Sequence, residues 1–154
     1  MTERRYLEDL VVGEIKTSRE ILVREEDIIE FARCYDPQPM HTGLEAGSYS
    51  TFDGLIASGW HTAALVMRLL VDLRPLGSSP LLGLGVDDLR WPKPVRPGDI
   101  IKAETEIRSI VRSRSKPDYG VVRVKVTAYN QHREVVYTMK IGRASCRERV
   151  CQYV

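Results

Sequence analysis

The chain has 154 residues, 43% of them hydrophobic and 29% charged, with a formal net charge of +2. That length suits one domain with a core of its own, and the composition excludes a disordered or collagen-like chain. The excess positive charge is no nucleic-acid signature, because residues 142–154 hold three Arg and one Glu and the rest of the chain is balanced.

Residues 13–23 set Ile15, Ile21 and Val23 among Lys16, Thr17, Arg19 and Glu20, an imperfect alternation that predicts a first strand. Arg24-Glu25-Glu26-Asp27 is acidic, as a first helical turn should be, and Ile28, Phe31, Ala32 and Tyr35 follow at amphipathic helical spacing. Cys34 in this helix reads as an ordinary thiol, since nothing beside it in sequence would activate it. The helix should end at Tyr35-Asp36-Pro37-Gln38-Pro39-Met40-His41, because each proline removes a backbone donor and pushes the residue before it out of helical geometry. This stretch reads as a stiff, extended segment carrying one carboxylate and one imidazole.

Residues 42–52 are rich in Gly, Ser and Ala and read as an irregular connection. From Trp60 to Leu73 the chain is apolar on nearly every side, which predicts a helix buried on most of its faces, with Met67 as core filler. A loop is expected over 73–80, a loose strand over 81–91, and a proline-broken turn at Pro97-Gly98-Asp99. In residues 100–111, Ile101, Ala103, Thr105, Ile107, Ser109 and Val111 share one parity against Lys102, Glu104, Glu106 and Arg108, a half-buried strand. Residues 112–118 read as a basic, solvated turn. Val122, Val124, Val126 and Ala128 mark the next strand, residues 130–133 a turn, and Val135, Tyr137 and Met139 a return strand. The order predicts an α+β domain in which an antiparallel sheet wraps one long central helix.

Two stretches carry candidate chemistry. Asp36 and His41 supply a carboxylate and an imidazole, and Ala57-Ser58-Gly59 opens the long helix, whose first N–H groups and positive dipole end are free to meet a developing negative charge. On spacing alone the pair reads as a turn carboxylate and a surface imidazole. Ser58 is most simply the helix N-cap, and His61 either lines a pocket or packs in the first turn. No Gly-x-Ser-x-Gly elbow supports a serine hydrolase, and with only His61 and His132 left, no metal site is expected. Arg90, Lys93, Arg96, Arg112, Arg114 and Lys116 suit the phosphates of a coenzyme A or carrier-protein arm, and scattered surface charge describes them equally well.

Asp36-Pro37-Gln38-Pro39-Met40-His41 resembles the Asp-x-Asn-Pro-x-His motif of the MaoC-like dehydratase family, hot-dog fold proteins related to the (R)-specific enoyl-CoA hydratases, with Gln38 in the Asn position. Ile56-Ala57-Ser58-Gly59 is similar to that family's glycine-led helix start, and Pro94-Val95-Arg96-Pro97-Gly98-Asp99 to its strand-entry turn. The resemblance implies a hydratase or dehydratase acting reversibly on a trans-2-enoyl thioester, in fatty-acid metabolism. Asp36 and His41 would be the catalytic pair and the Gly59 N–H the oxyanion donor. Gln38, Ser58, Trp60, His61 and Arg96 are the candidate substrate-binding residues around them. Met67 stands where some enoyl-CoA hydratases carry a helix serine. Thioester hydrolysis on the same fold and non-catalytic binding of an acyl thioester are the alternative readings. No cofactor is implied, acyl-CoA being the substrate, and a homodimer is.

The longest apolar stretch contains Arg68 and Asp72 and is too short to span a bilayer, and no secretory signal pattern opens the chain. A cytoplasmic, reducing setting suits the three cysteines Cys34, Cys146 and Cys151, which form no framework. Residues 1–141 are expected to form the single domain. Residues 142–154 look like a translated sequencing adapter, a non-native tail with no packing period, expected to be irregular from Gly142 onward.

Overall fold

The computed structural model describes residues 5–43, 53–77, 82–114 and 119–146. After a 3-10 turn at Leu7–Asp9 come β1 (Ile15–Leu22), α1 (Glu25–Tyr35), a single helical turn α2 (Pro39–Thr42) and the long α3 (Gly59–Leu73). Four strands follow: β2 (Leu82–Arg90), β3 (Ile100–Arg112), β4 (Tyr119–Tyr129) and β5 (Val135–Cys146). The sheet runs β1-β3-β4-β5-β2, every neighbouring pair antiparallel. The α+β, hot-dog arrangement expected from the sequence is the one observed. Residues 44–52 of the expected connection, the end of the 73–80 loop and most of the basic turn fall outside the described residues, and Thr42 belongs to α2.

The core lies between α3 and the inner face of the sheet. Val66, Leu69 and Leu70 of α3 meet Ile101, Ala103 and Ile107 of β3, Val122, Val124, Val126 and Ala128 of β4, and Tyr137, Met139 and Ile141 of β5. Each such Val or Leu, fully buried, contributes about 1.5–3 kcal/mol, so three on one helix are enough to fix its depth and rotation on the sheet. Arg74, in the left-handed region at φ 48°, ends α3 by returning its N–H to the Leu70 carbonyl.

Four expectations change. The long helix is not buried on most faces: a single sheet covers one side, and Trp60, Met67 and Val71 on the other side are 62%, 37% and 56% exposed. Tyr35 does not join the apolar face of α1; at the last turn it has passed the core and is 77% exposed, while Ile28 and Ala32 are buried. In β3 the inward parity ends at a register shift between Ile107 and Ser109, so Val111 faces outward. The backbone also stays regular beyond Gly142. Gly142, Arg143 and Ala144 pair with Arg123, Val122 and Val121 on one side and with Gly85, Gly83 and Leu82 on the other. A strand between two neighbours is held through backbone groups that any non-proline residue supplies, whatever its side chains.

The imperfect alternation of 13–23 has a physical cause. The β1 register shifts between Thr17 and Glu20, and the buried Ser18 hydroxyl there accepts the Ala103 N–H at 2.9 Å, standing in for a ladder bond. Among the described residues no helix is long and apolar enough to cross a membrane.

Candidate active site

Three acidic residues in the first turn, Glu25, Glu26 and Asp27, complement the N-terminal dipole of α1. Pro37 prevents its continuation. Asp36 closes the helix, its N–H reaching the Ala32 carbonyl at 2.9 Å. The following segment is not extended throughout: Pro39 occupies the first turn of α2, where a missing N–H costs nothing, and His41 and Thr42 both return their N–H groups to the Gln38 carbonyl. Gly43, at φ 75°, stops this turn in a conformation that other residues rarely adopt. The turn points His41 inward, leaving it 5% exposed.

The imidazole is oriented by one hydrogen bond, from Nδ1 to the Ile56 carbonyl at 2.8 Å. A carbonyl only accepts, so Nδ1 carries the proton, and in the neutral ring Nε2 presents a lone pair. Nε2 lies 3.6 Å from Oδ2 of Asp36, too far for a direct hydrogen bond and a separation one water can share. The carboxylate is held on both oxygens: the Ser58 hydroxyl donates to Oδ2 at 2.6 Å and the Gln38 side-chain amide donates to Oδ1 at 2.7 Å. These two bonds, the Ser58 one foremost, hold the Asp36 carboxyl below its ordinary range against the opposing effect of burial, with the His41 ring adding a smaller push downward.

Backbone pairing brings the second stretch alongside. Ile56 N–H bonds the Met40 carbonyl at 3.0 Å and Ala57 N–H bonds the Val95 carbonyl at 2.8 Å, so the loop before α3 is pinned between α2 and the proline-rich run after β2. Ser58 caps α3 by accepting the Trp60 N–H at 3.3 Å while it donates to Asp36. Gly59, the first residue of α3, keeps its N–H outside the intrahelical ladder. A cleft of about 300 Å³ opens here, with His41, Ile56, Gly59, Thr62, Trp91 and Pro94 in its lining. A larger hollow of about 540 Å³, on the outer face of the sheet around Arg123 and Lys140, contains none of these groups.

Asp36, Gln38, His41, Ser58 and Gly59 therefore form one cluster. Of these, His41 and Gly59 line the cleft, as does Lys93, whereas Trp60, His61 and Arg96 lie apart from its lining. Trp60 points outward, edge to face with Trp91 at 5.5 Å. His61 is buried against Phe31 of α1, ring on ring at 4.9 Å, and its Nδ1 has no hydrogen-bond partner among the described residues. Arg96 donates to the Asp53 carbonyl at 2.9 Å. Lys93, among the candidate phosphate cations, is paired with Glu134, and Lys116 falls outside the described residues. Among the described residues no group of three or more His, Cys, Asp or Glu is disposed to hold a metal. Two contributors had no distinct sequence signal: the Ser58 hydroxyl as partner of Asp36, and Trp91 in the cleft.

The MaoC like domain family matches residues 9–130, a span that holds the whole cluster. The chain belongs to this family. Its fold superposes with a TM-score of 0.86 on the crystal structure of the MaoC-like dehydratase from Rhodospirillum rubrum, at 41% identity over 94% of this chain and 99% of that one. It is 30% identical to the 3-hydroxybutyryl-CoA dehydratase of Methylorubrum extorquens over 72% of this chain and 69% of that protein. It is 28% identical to the uncharacterized protein YdeM of Bacillus subtilis over 85% of this chain and 92% of that protein.

Proposed function

We propose that this MaoC-like protein is a hydro-lyase that reversibly hydrates a trans-2-enoyl thioester, carried on coenzyme A or a carrier protein, to the 3-hydroxyacyl thioester. The observation that carries this reading is the 3.6 Å gap between the Asp36 carboxylate and the acceptor face of His41, beside the free N-terminus of α3. A water in that gap donates one hydrogen to each side chain and turns a lone pair toward the substrate. Its oxygen bonds to Cβ as the Cα–Cβ π electrons move toward the carbonyl, and the Gly59 N–H receives the enolate oxygen. The pair takes one proton from the water and one proton is returned to Cα, so the enzyme ends as it began. Asp36 is held ionised, so the pair enters the cycle without a proton of its own to give. The two groups share that proton and act as a unit.

Positioned acid and base groups contribute roughly 10²- to 10⁴-fold each. Asp36→Asn and His41→Ala are each expected to slow hydration by such a factor while circular dichroism keeps the folded spectrum. The assay is loss of the enoyl-thioester absorbance. Wild-type rates in both variants would remove the pair from the mechanism.

The same reading includes a homodimer. Leu84 and Val86 on the edge strand β2 and Trp60 and Val71 on the open face of α3 are all about half exposed in the single chain. An unpaired apolar edge strand and an uncovered apolar helix face are each surfaces that self-association covers.

A further inference from the structure

We infer that Trp91 sets the acyl-chain length at this site, confining it to short-chain enoyl thioesters; the inference rests on the hydratase reading above. The indole lies directly on the first residue of α3. A Cβ built on Gly59 would sit 2.8 Å from Cε2 and 3.0 Å from Cδ2 of Trp91, closer than real atoms approach, so the ring is in contact with the Gly59 backbone itself. It is held there from two sides, edge to face with Trp60 at 5.5 Å and tilted against Tyr137 at 6.5 Å, and Tyr137 is buried. Pro92 and Pro94 follow it and stiffen the run that forms this wall.

The position decides what fits. His41 and Gly59 line the same cleft as Trp91, so a thioester whose carbonyl meets the Gly59 N–H has the indole as an immediate neighbour. The cleft, at about 300 Å³, is at the small end of the range for ligand pockets, and the indole is one of its walls. Trp91 is also 40% exposed, so its ring is not consumed by the core and has apolar surface left for a ligand. Without the indole, the cleft would run on toward Trp60 and Tyr137. A pocket wall of this kind discriminates by about tenfold or more per misplaced methylene.

The test compares kcat/KM for four-, eight- and twelve-carbon trans-2-enoyl-CoAs in wild type, Trp91→Phe and Trp91→Ala, with melting temperature as the check on folding. Wild type should favour the four-carbon substrate, and Trp91→Ala should raise the twelve-to-four-carbon ratio by about tenfold or more, with Trp91→Phe between them. An unchanged ratio in folded variants, or a wild-type preference for twelve carbons, would overturn the inference. A second arm is independent of turnover. The chain has two tryptophans, so Trp60→Phe leaves Trp91 as the sole indole, and its emission should change saturably with butyryl-CoA and less with lauroyl-CoA. If no enoyl-CoA is hydrated, the hydratase reading fails while this arm still decides on Trp91. Emission indifferent to both ligands overturns the role of Trp91 itself.

Discussion

Ser58 holds two things at once: it caps α3 through the Trp60 N–H and donates the shorter bond, 2.6 Å, to Asp36. As a cap it was legible in the sequence, because a serine just before a helical run accepts an orphan N–H. The bond to Asp36 was not, since the two residues are twenty-two positions apart and meet only because Ile56 and Ala57 pin the intervening loop. Asp36 and His41 were legible as a motif, but their separation was not, because it depends on the α2 turn that replaces an extended segment. Ser58→Ala should therefore act on the carboxylate as well as the helix. Losing the main hydrogen bond that lowers the Asp36 pKa, the variant should show the acid limb of its kcat/KM profile displaced to higher pH. Stability should fall by about 0.5–2 kcal/mol from the lost cap. A pH profile that stays in place, with only the stability reduced, would confine Ser58 to capping.

At the scale of elements, the positions of the strands along the chain, the inward face of β4 and that of β3 as far as Ile107 followed from alternation of period two. What alternation could not supply were the register shifts in β1, β3 and β5, because a bulge is set by the partner strand and by single groups such as the Ser18 hydroxyl. The contact between α1 and α3 was equally hidden. It is made by Phe31 stacked on His61, whose burial lowers its pKa from the ordinary 6.5, against a smaller opposing influence of Asp27. The unfolded chain then binds the proton first as pH falls below 6.5, so stability is full above that value and declines through the window down to the lowered folded pKa. Asp36, lowered from 3.8, begins to act only below that value. Urea midpoints should drop between neutral pH and about pH 5 in wild type. His61→Phe, which keeps the ring stack, should flatten that drop. An equal decline in the variant would place the acid sensitivity elsewhere.

At the scale of the whole molecule, the sequence pattern of α3 showed an apolar helix and not which of its faces the sheet leaves open. One sheet covers one side of α3, and its uncovered side and the β2 edge are two exposed apolar surfaces that a second molecule would bury. Light scattering at micromolar concentration should give the mass of two 17.5 kDa chains. Val86→Lys, which places a charge on the edge strand, should shift that mass toward one chain. A wild-type monomer with full activity would contradict the dimer. The proposed addition of one water to Cβ of an intact thioester by the Asp36/His41 pair is read out by heavy-oxygen water. After incubation of a short trans-2-enoyl-CoA with the protein, mass spectrometry should find the label in the 3-hydroxyl of an unbroken thioester, with little label incorporated by Asp36→Asn. Label in the carboxylate of a free acid would show that the water is aimed at the carbonyl carbon, and would contradict the account.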